Sequence, residues 1–353
     1  MPVQAIDLFC GVGGLTCGLL QSGIPVIAGI DVDPTCSFAY EYNNRVPYLQ
    51  RNIREVSGEE ISKLYSYGAV KILVGCAPCQ PFSQMRFKMG AVNLTDEKYD
   101  LLLEFGRLID EIRPTVISME NVPNIRETRV FKDFINVLEK NGYHYNSKVV
   151  FCPDYGIPQT RKRFVLVGSL LGPIELIPPT HRPQDVHVRD YIGDLPRIKA
   201  GETDSNDSLH RSSALSDINI RRIRASAPGG TWKDWPEDLR CECHKRDSGT
   251  SYASVYGRMT WDQIGPTITT QFYNYGTGRF GHPQQDRALS LREGALLQTF
   301  PRNYEFINPQ RGCVIRDVAR HIGNAVPVRL GEVIGLSLRN HLADYNIHLE
   351  EEQ

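Results

Sequence analysis

Two cysteines three positions apart, Cys76 and Cys79, stand where the apolar run "KILVG" gives way to "CAPCQPFSQ". Thiols in this spacing do one of three kinds of chemistry, or pack as buried small hydrophobes and do none. A redox pair opens a helix beside a βαβ unit, but Pro78 and Pro81 flank Cys79 and the following residues read as a loop. A zinc half-site needs two further ligands, and the other local cluster, Cys241, Cys243 and His244, lies far along the chain. A nucleophile needs a place where substrate reaches it, and Cys79 follows an apolar strand at the edge where open α/β sheets bind ligands. A thiol near pKa 8.5 is only roughly 3% thiolate at pH 7, so a nearby positive charge would activate it. Cys76 falls at the strand end and reads as packing.

Other reactive side chains recur at similar places. "TVISMENVPNI" ends a strand on Glu120 and Asn121, where an acid serves as a cap or ion-pair partner, or as a group for hydrogen bonding and proton transfer. "QTRKRFVLVG" sets Arg161 and Arg163 two apart at a strand entrance, an alternation that points both guanidiniums the same way, to suit carbonyl or phosphate oxygens or to form a solvated basic edge. Near the N-terminus, "AIDLFCGVGGL" places Gly11, Gly13 and Gly14 between a strand and a helix. Glycines there permit a sharp turn and close approach to a ligand. The dinucleotide fingerprint fails, because Thr16 stands where its third glycine belongs. Asp31 closes the second strand about 20 residues on, where an acid can accept from ribose hydroxyls. A nucleoside-containing cofactor fits both features, and S-adenosylmethionine fits without a pyrophosphate cradle; a tight turn with a surface aspartate is the plainer alternative.

Strands expected over 3–9, 25–31, 70–76, 115–119, 146–151 and 164–168, alternating with helices, are needed to hold these groups. The pattern is that of an α/β domain with a largely parallel sheet. "TDEKYDLLLEFGRLIDEIRP" reads as a helix with Thr95 at its N-cap and Pro114 as its stop. Beyond residue 190 the chain turns polar and irregular, then regains helical character from Ala288. We therefore expect a catalytic and cofactor-binding domain over 1–190, a small domain over 191–312 and a returning C-terminal segment over 313–353.

The 353 residues, 41% apolar and 23% charged, suffice for a substantial core. Nine cysteines scattered along the chain argue for reduced thiols and a cytoplasmic compartment. No apolar run reaches about 18 residues, so no membrane partner is expected. A net charge of −1 means that any polyanion-binding surface must be local.

Taken together, "DLFCGVGG", "GCAPCQPFS", "ENV", "QTRKRF", "LSLREGALLQTFP" and "HIGNAVP" resemble, in order and nearly end to end, the motifs of the C5-cytosine DNA methyltransferases of bacterial restriction–modification systems. The resemblance implies a Rossmann-like, S-adenosylmethionine-dependent methyltransferase fold, with a mixed, mostly parallel sheet and a smaller irregular target-recognition domain that includes the 288–301 motif. It implies that Cys79 adds to C6 of a flipped-out cytosine, that Glu120 contacts N3 and the exocyclic amine, and that Arg161 and Arg163 hold the base. Covalent addition splits one difficult step into easier ones, because C5 is a poor nucleophile until C6 carries sulfur. Phe9, Gly11, Gly13, Gly14, Leu15, Asp31, Val32, Asn52, Ile53, Pro78, Asn324 and Val326 match cofactor-binding positions. Two depart from the usual pattern: Asn52 stands where the family has aspartate, and Asp31, with Asp33 as a nearby competitor, where it often has glutamate.

The same resemblance makes double-stranded DNA the partner, with Ser83, Arg86, Arg258, Thr267, Thr269 and Arg279 as candidate DNA contacts. The stretch with Ser83, Gln84, Arg86 and Lys88 matches a loop that closes on DNA in the family. A cognate restriction endonuclease acting on the same site without a stable complex is a further expected partner, and the enzyme is expected to be a monomer associated with the nucleoid. Cys241, Cys243 and His244 are expected to form a metal-free loop. Two rivals stand beside this reading. One is a tRNA cytosine-5 methyltransferase, whose typical Cys-Phe-Thr tripeptide is absent here; the other is a catalytically silent DNA-binding regulator.

Overall fold

The computed structural model describes residues 1–78, 100–246 and 254–349. Cys79, Ser83 and Arg86, the loop from Pro81, and the expected Thr95 cap all lie outside the described residues. The chain forms two compact units, one of residues 1–151, 162–179 and 326–353, the other of 152–161 and 180–325. These bounds differ from the expected 1–190, 191–312 and 313–353. The short piece 152–161 leaves the sheet-bearing unit, and the chain returns to it at Val326 and not at residue 313.

The first unit is built on a seven-stranded sheet in the order β3-β2-β1-β4-β5-β7-β6. Its strands are β1 (Val3–Leu8), β2 (Val26–Asp31), β3 (Tyr48–Gln50), β4 (Val70–Gly75), β5 (Val116–Asn121), β6 (His144–Phe151) and β7 (Lys162–Ser169). The first five pair in parallel; β7 runs antiparallel to both β5 and β6. Six strands lie where alternation and apolar runs place them. The seventh, β3, is three residues long on the sheet edge and too short to give a period. The central strands are almost continuously apolar because both faces are covered.

Helices α1 (Gly14–Gln21), α2 (Ser37–Asn44), α3 (Gly58–Ser62), α4 (Leu101–Ile112) and α5 (Arg129–Lys140) connect these strands. In α4, Leu102, Phe105, Leu108, Ile109 and Ile112 form the buried stripe, and Arg113 ends the helix in the left-handed conformation just before Pro114. Phe105 meets Phe134 of α5 at 5.7 Å between ring centroids, within the core shared with Ile6, Leu73 and Ile117.

The strand order reverses between β1 and β4: the chain leaves β1 toward β2 and β3, then crosses back to β4 and β5 on the other side. Loops at the carboxyl ends of two such neighbours diverge and leave a crevice. Those loops carry Phe9 to Gly14 and Cys76 to Pro78. The last helix of the chain, Val328–Asp344, packs on α1. A Cβ at Gly18 would collide with the Val328 carbonyl oxygen, so only glycine lets the two helices approach this closely.

The second unit is irregular. Its pairings outside named strands are isolated bridges, such as Thr203–Arg211 and Gly281–Ala288. It contains α6 (Arg189–Ile192), α7 (Asp217–Ala225), α8 (Leu291–Leu297) and α9 (Ile315–Asn324), which makes the Val328–Asp344 helix α10. A small core of Ile223, Trp232, Trp235, Leu239, Tyr275 and Ala288 lies within it. Trp232 and Trp235 are thus packing residues.

Candidate active site

In the crevice of the first unit, the chain after β1 turns through Phe9, Gly11 and Gly13, at φ 58°, 51° and 86°. Left-handed conformations are cheap for glycine and costly for Phe9, so the surrounding structure holds that residue in place. The turn is tied to the end of β2: Gly11 N–H donates to Asp31 Oδ2 at 2.9 Å, and Asp33 N–H donates to Oδ1 at 3.0 Å. Burial raises the Asp31 carboxyl above its ordinary value, against the pull of these two N–H groups. Each oxygen keeps a lone pair for a further donor such as a ribose hydroxyl.

A Cβ placed at Gly11 would meet nothing within 4 Å. The missing side chain therefore faces open space, not a packed neighbour. Val32, directly after Asp31, is 63% exposed, an apolar surface that a purine ring would cover. Leu15 and Ile53 are buried beneath this edge. Asn52 caps a short 3-10 turn, its side-chain oxygen accepting from Arg54 N–H at 3.2 Å and its amide donating to Glu55. These residues fit a nucleoside-bearing cofactor, with an acid for hydroxyls, an apolar ledge and a backbone cradle without side chains.

A further buried group, Asp7, lies in β1, ahead of this turn. Asp7 in β1 accepts from the Thr16 hydroxyl at 2.7 Å, and Thr16 also meets the Tyr40 hydroxyl at 3.0 Å. Burial pushes the Asp7 carboxyl up to about 7, although the Thr16 hydroxyl pulls the other way. Its signal in the sequence is an acid inside an otherwise apolar central strand.

Glu120 is the penultimate residue of β5 and is 2% exposed. Arg163 of β7 places Nε 2.8 Å from its Oε1, a consequence of antiparallel pairing that sets Glu120 opposite Val165 and Asn121 opposite Phe164. The Cys76 thiol donates to its Oε2 at 2.6 Å. Cys76 is therefore more than packing: β4 ends at Gly75, and the thiol turns toward the neighbouring strand. Asn121 donates to the Ala77 carbonyl at 3.1 Å and accepts from Val122 N–H at 2.8 Å, which pins the backbone leading to Pro78. The next residue is Cys79.

Arg161 lies outside β7, which begins at Lys162. Its N–H bonds Gln159 and its carbonyl accepts from Cys152 N–H, so it sits in a turn ahead of β7, where strand alternation has no force. In the second unit its guanidinium donates to the carbonyls of Ile268 at 3.0 Å and Ala325 at 3.4 Å, and it is 3% exposed. Gln159, not singled out beforehand, is fully buried beside it. Its amide donates to Leu297 and Gln298, and its oxygen accepts from Ile268 N–H.

Arg258, expected on DNA, is corrected by the structure. It donates to the carbonyls of His282, Ser226 and Gln285 and to the Asp286 carboxylate, with little surface exposed. With four of its five N–H donors on internal acceptors, the guanidinium organises the loop and cannot make the bidentate contact that reads a base edge. Thr269 and Arg279 are exposed, and Thr267 is half-buried with its hydroxyl on the Thr160 carbonyl. Asn324 ends α9 exposed, while Val326 is buried.

The "LSLREGALLQ" motif is structural in this geometry. Ser290 and Glu293 form a capping box at the start of α8. Glu293 pairs with Arg287 at 2.6 Å in full burial, and Arg292 pairs with Asp207.

Comparison with known proteins agrees over nearly the whole chain. The family model for C-5 cytosine-specific DNA methylase matches residues 3–340. The chain is 57% identical over 346 residues to the Type II methylase M.HgiDII of Herpetosiphon aurantiacus, covering 97% of this chain and 96% of that one. It is 30% identical over 340 residues to the Type II methyltransferase M.PspPI of Psychrobacter, covering 94% and 78%. Among solved structures, the Entamoeba histolytica methyltransferase EhMeth superposes with a TM-score of 0.70 at 18% identity, covering 97% and 99% of the two chains. The S. pombe Dnmt2 methyltransferase does so at 0.62 and 16%, covering 98% and 99%. At these identities the superpositions speak to the fold alone.

Proposed function

The chain belongs to the C-5 cytosine-specific DNA methylase family, and from that premise we propose that it methylates C5 of cytosine at one sequence in double-stranded DNA through a covalent cysteine adduct. The observation that carries the reading is Glu120, buried at the end of β5 with one oxygen on Arg163 and the other on the Cys76 thiol. A buried acid held from both sides beside the strand that leads to Cys79 is a preorganised hydrogen-bonding group, not a surface cap.

On this reading Cys79 adds to C6 of the target base and leaves again once the C5 proton is lost. Glu120 meets N3 and the exocyclic amine of a base swung out of the duplex, at a cost of about a few kcal/mol for unstacking. Arg163 fixes the Glu120 carboxylate, and within the second unit Arg161 holds the Ile268 and Ala325 backbone. Asp31, Val32, the Phe9–Leu15 turn, Asn52, Ile53, Pro78, Asn324 and Val326 would hold S-adenosylmethionine. When bound, that cofactor supplies the methyl group on a cationic sulfur. Thr267, Thr269 and Arg279 of the second unit remain exposed or half-exposed candidates for DNA contact, with Ser83 and Arg86.

The relatives are Type II modification enzymes, which suits a restriction–modification pair in which an endonuclease reads the same site independently. No helix among the described residues is long and apolar enough to cross a membrane, in keeping with work on DNA in the cytoplasm. The test is transfer of labelled methyl from S-adenosylmethionine to mixed-sequence duplex DNA and, separately, to tRNA, with Cys79→Ala alongside. Label on C5 of DNA cytosine that vanishes in Cys79→Ala supports the proposal. Label on tRNA alone, or on neither substrate with cofactor bound, overturns it.

A further inference from the structure

Away from the crevice, the second unit gathers Cys241, Cys243 and His244 on one short turn. Cys241 is the N-cap of a 3-10 segment, Glu242–Lys245, and His244 N–H closes the turn on the Cys241 carbonyl at 2.9 Å. With about three residues per turn, positions i and i+3 eclipse, so Cys241 and His244 share a face. The two sulfurs and a nitrogen of His244 all lie within 4.8 Å of one another. Around a tetrahedral zinc, with Zn–S near 2.3 Å, ligand atoms sit about 3.8 Å apart. Small side-chain rotations cover the difference.

The histidine is held as a ligand would be. Its ring stacks on Trp232 at 4.1 Å between centroids and 20° between planes, and meets Tyr256 edge-on at 5.9 Å. It is 8% exposed, and its Nδ1 is buried with no hydrogen-bond partner among the described residues. A buried ring nitrogen in that state calls for a bound ion or water. Tyr256 is itself in the left-handed conformation at φ 55°, with its hydroxyl hydrogen-bonded to Cys241. The Arg222 guanidinium lies 5.5 Å over its ring.

We propose that Cys241, Cys243 and His244 bind one zinc ion, with the fourth position left to solvent on the exposed Cys243 side. Two thiolates and a neutral imidazole balance a divalent charge, and this soft donor set selects zinc over magnesium or calcium. The ion would staple the 241–246 turn onto the small core of Trp232, Trp235 and Tyr275, in a unit whose pairings are otherwise isolated bridges. The proposal reverses the expectation of a metal-free loop and is independent of the methyl-transfer reaction.

The experiment uses the full untagged chain, purified under reduction and dialysed against zinc-free buffer. Elemental analysis should find about one zinc per chain, and replacement by cobalt(II) should give thiolate-to-metal charge-transfer absorption. Cys241→Ser with Cys243→Ser should abolish both. If that double variant does not fold, Cys243→Ser alone, at an exposed position, should weaken zinc at least about tenfold in competition with a chromophoric chelator, since losing a ligand costs more than losing an outer partner. Absence of stoichiometric metal, or equal zinc retention by the cysteine variants, overturns the proposal.

Discussion

Arg163 and Glu120 form a buried ion pair, Nε to Oε1 at 2.8 Å, between the ends of two antiparallel strands. Removing one member of such a pair strands the other without solvent. Arg163→Ala should therefore destabilise the first unit by about 3–5 kcal/mol in chemical denaturation. Glu120→Gln keeps the shape and loses the charge; it should lower methyl transfer by roughly 10²–10⁴-fold while leaving cofactor affinity unchanged in calorimetry. Loss of cofactor binding in Glu120→Gln would mean that the residue supports the fold and not the reaction.

Arg161 should behave differently, since its partners are carbonyls. In Arg161→Lys the charge survives, but one ammonium on a flexible stem cannot reproduce the planar fork that reaches both Ile268 and Ala325. We expect a lower thermal midpoint together with reduced activity. Arg163→Lys, which can still face Glu120, should retain more of both. Equal losses in the two lysine variants would contradict this division of labour.

At Gly11 a methyl group would enter open space, in a backbone conformation that costs an L-residue about 1–2 kcal/mol. Gly11→Ala should thus fold with modestly reduced stability. If the space belongs to the cofactor, binding of S-adenosylmethionine should weaken by at least about tenfold, equivalent to ~1.4 kcal/mol. Isothermal titration of the variant decides it: unchanged affinity would place the ligand elsewhere.

The pH dependence of the second unit should follow Glu293 and His282. Burial by itself would raise the Glu293 carboxyl, yet the Arg287 guanidinium holds it down at about 2. Burial lowers the His282 imidazole to about 4. Both folded values lie below the ordinary ones of 4.5 and 6.5, so in each case the unfolded chain binds protons first. Stability from His282 is complete above about 6.5 and is lost as pH falls through about 4; that from Glu293 is complete above 4.5 and is lost toward about 2. Glu293→Gln should remove the lower part of this acid dependence in denaturation midpoints taken from pH 6 to pH 2. An unchanged slope would assign the acid sensitivity to other carboxylates.

Asp7 should act with the opposite sign. Its folded value of about 7 lies above the ordinary 3.8, so its contribution is complete below 3.8 and is lost as pH rises through about 7. Asp7→Asn should flatten the midpoint across that window and stabilise the first unit at alkaline pH. Greater loss of stability at pH 8 than at pH 5 would show instead that the ionised carboxylate is needed.

Much of the fold could be read from residue order because its signals are local. Apolar runs too short for helices marked six strands, and the α4 stripe with its Pro114 stop followed helical spacing. Glycines at a strand-to-helix turn with an acid at the next strand end suggested a nucleoside-bearing cofactor, since both lie within one βαβ unit; the hydrogen bond from Gly11 to Asp31 was visible only in the fold. The position of Glu120 at a strand end was equally local, while its burial was not.

Tertiary structure alone decided which side chains have company. Alternation suggested that Arg161 and Arg163 point together, but the strand begins at Lys162, and the two guanidiniums go to a carbonyl pair and to a carboxylate. Arg258 looked like any arginine of a polar loop until four acceptors from distant residues enclosed it. The Cys76 thiol meets Glu120 across 44 residues of chain, and His244 owes its burial to Trp232 and Tyr256. Sequence by itself determined the order of elements and the chemical types at strand ends, since both depend on neighbours along the chain. The pairing of charges, the filling of hydrogen bonds and the line between structural and exposed residues came from three dimensions, because burial is a property of what packs from elsewhere.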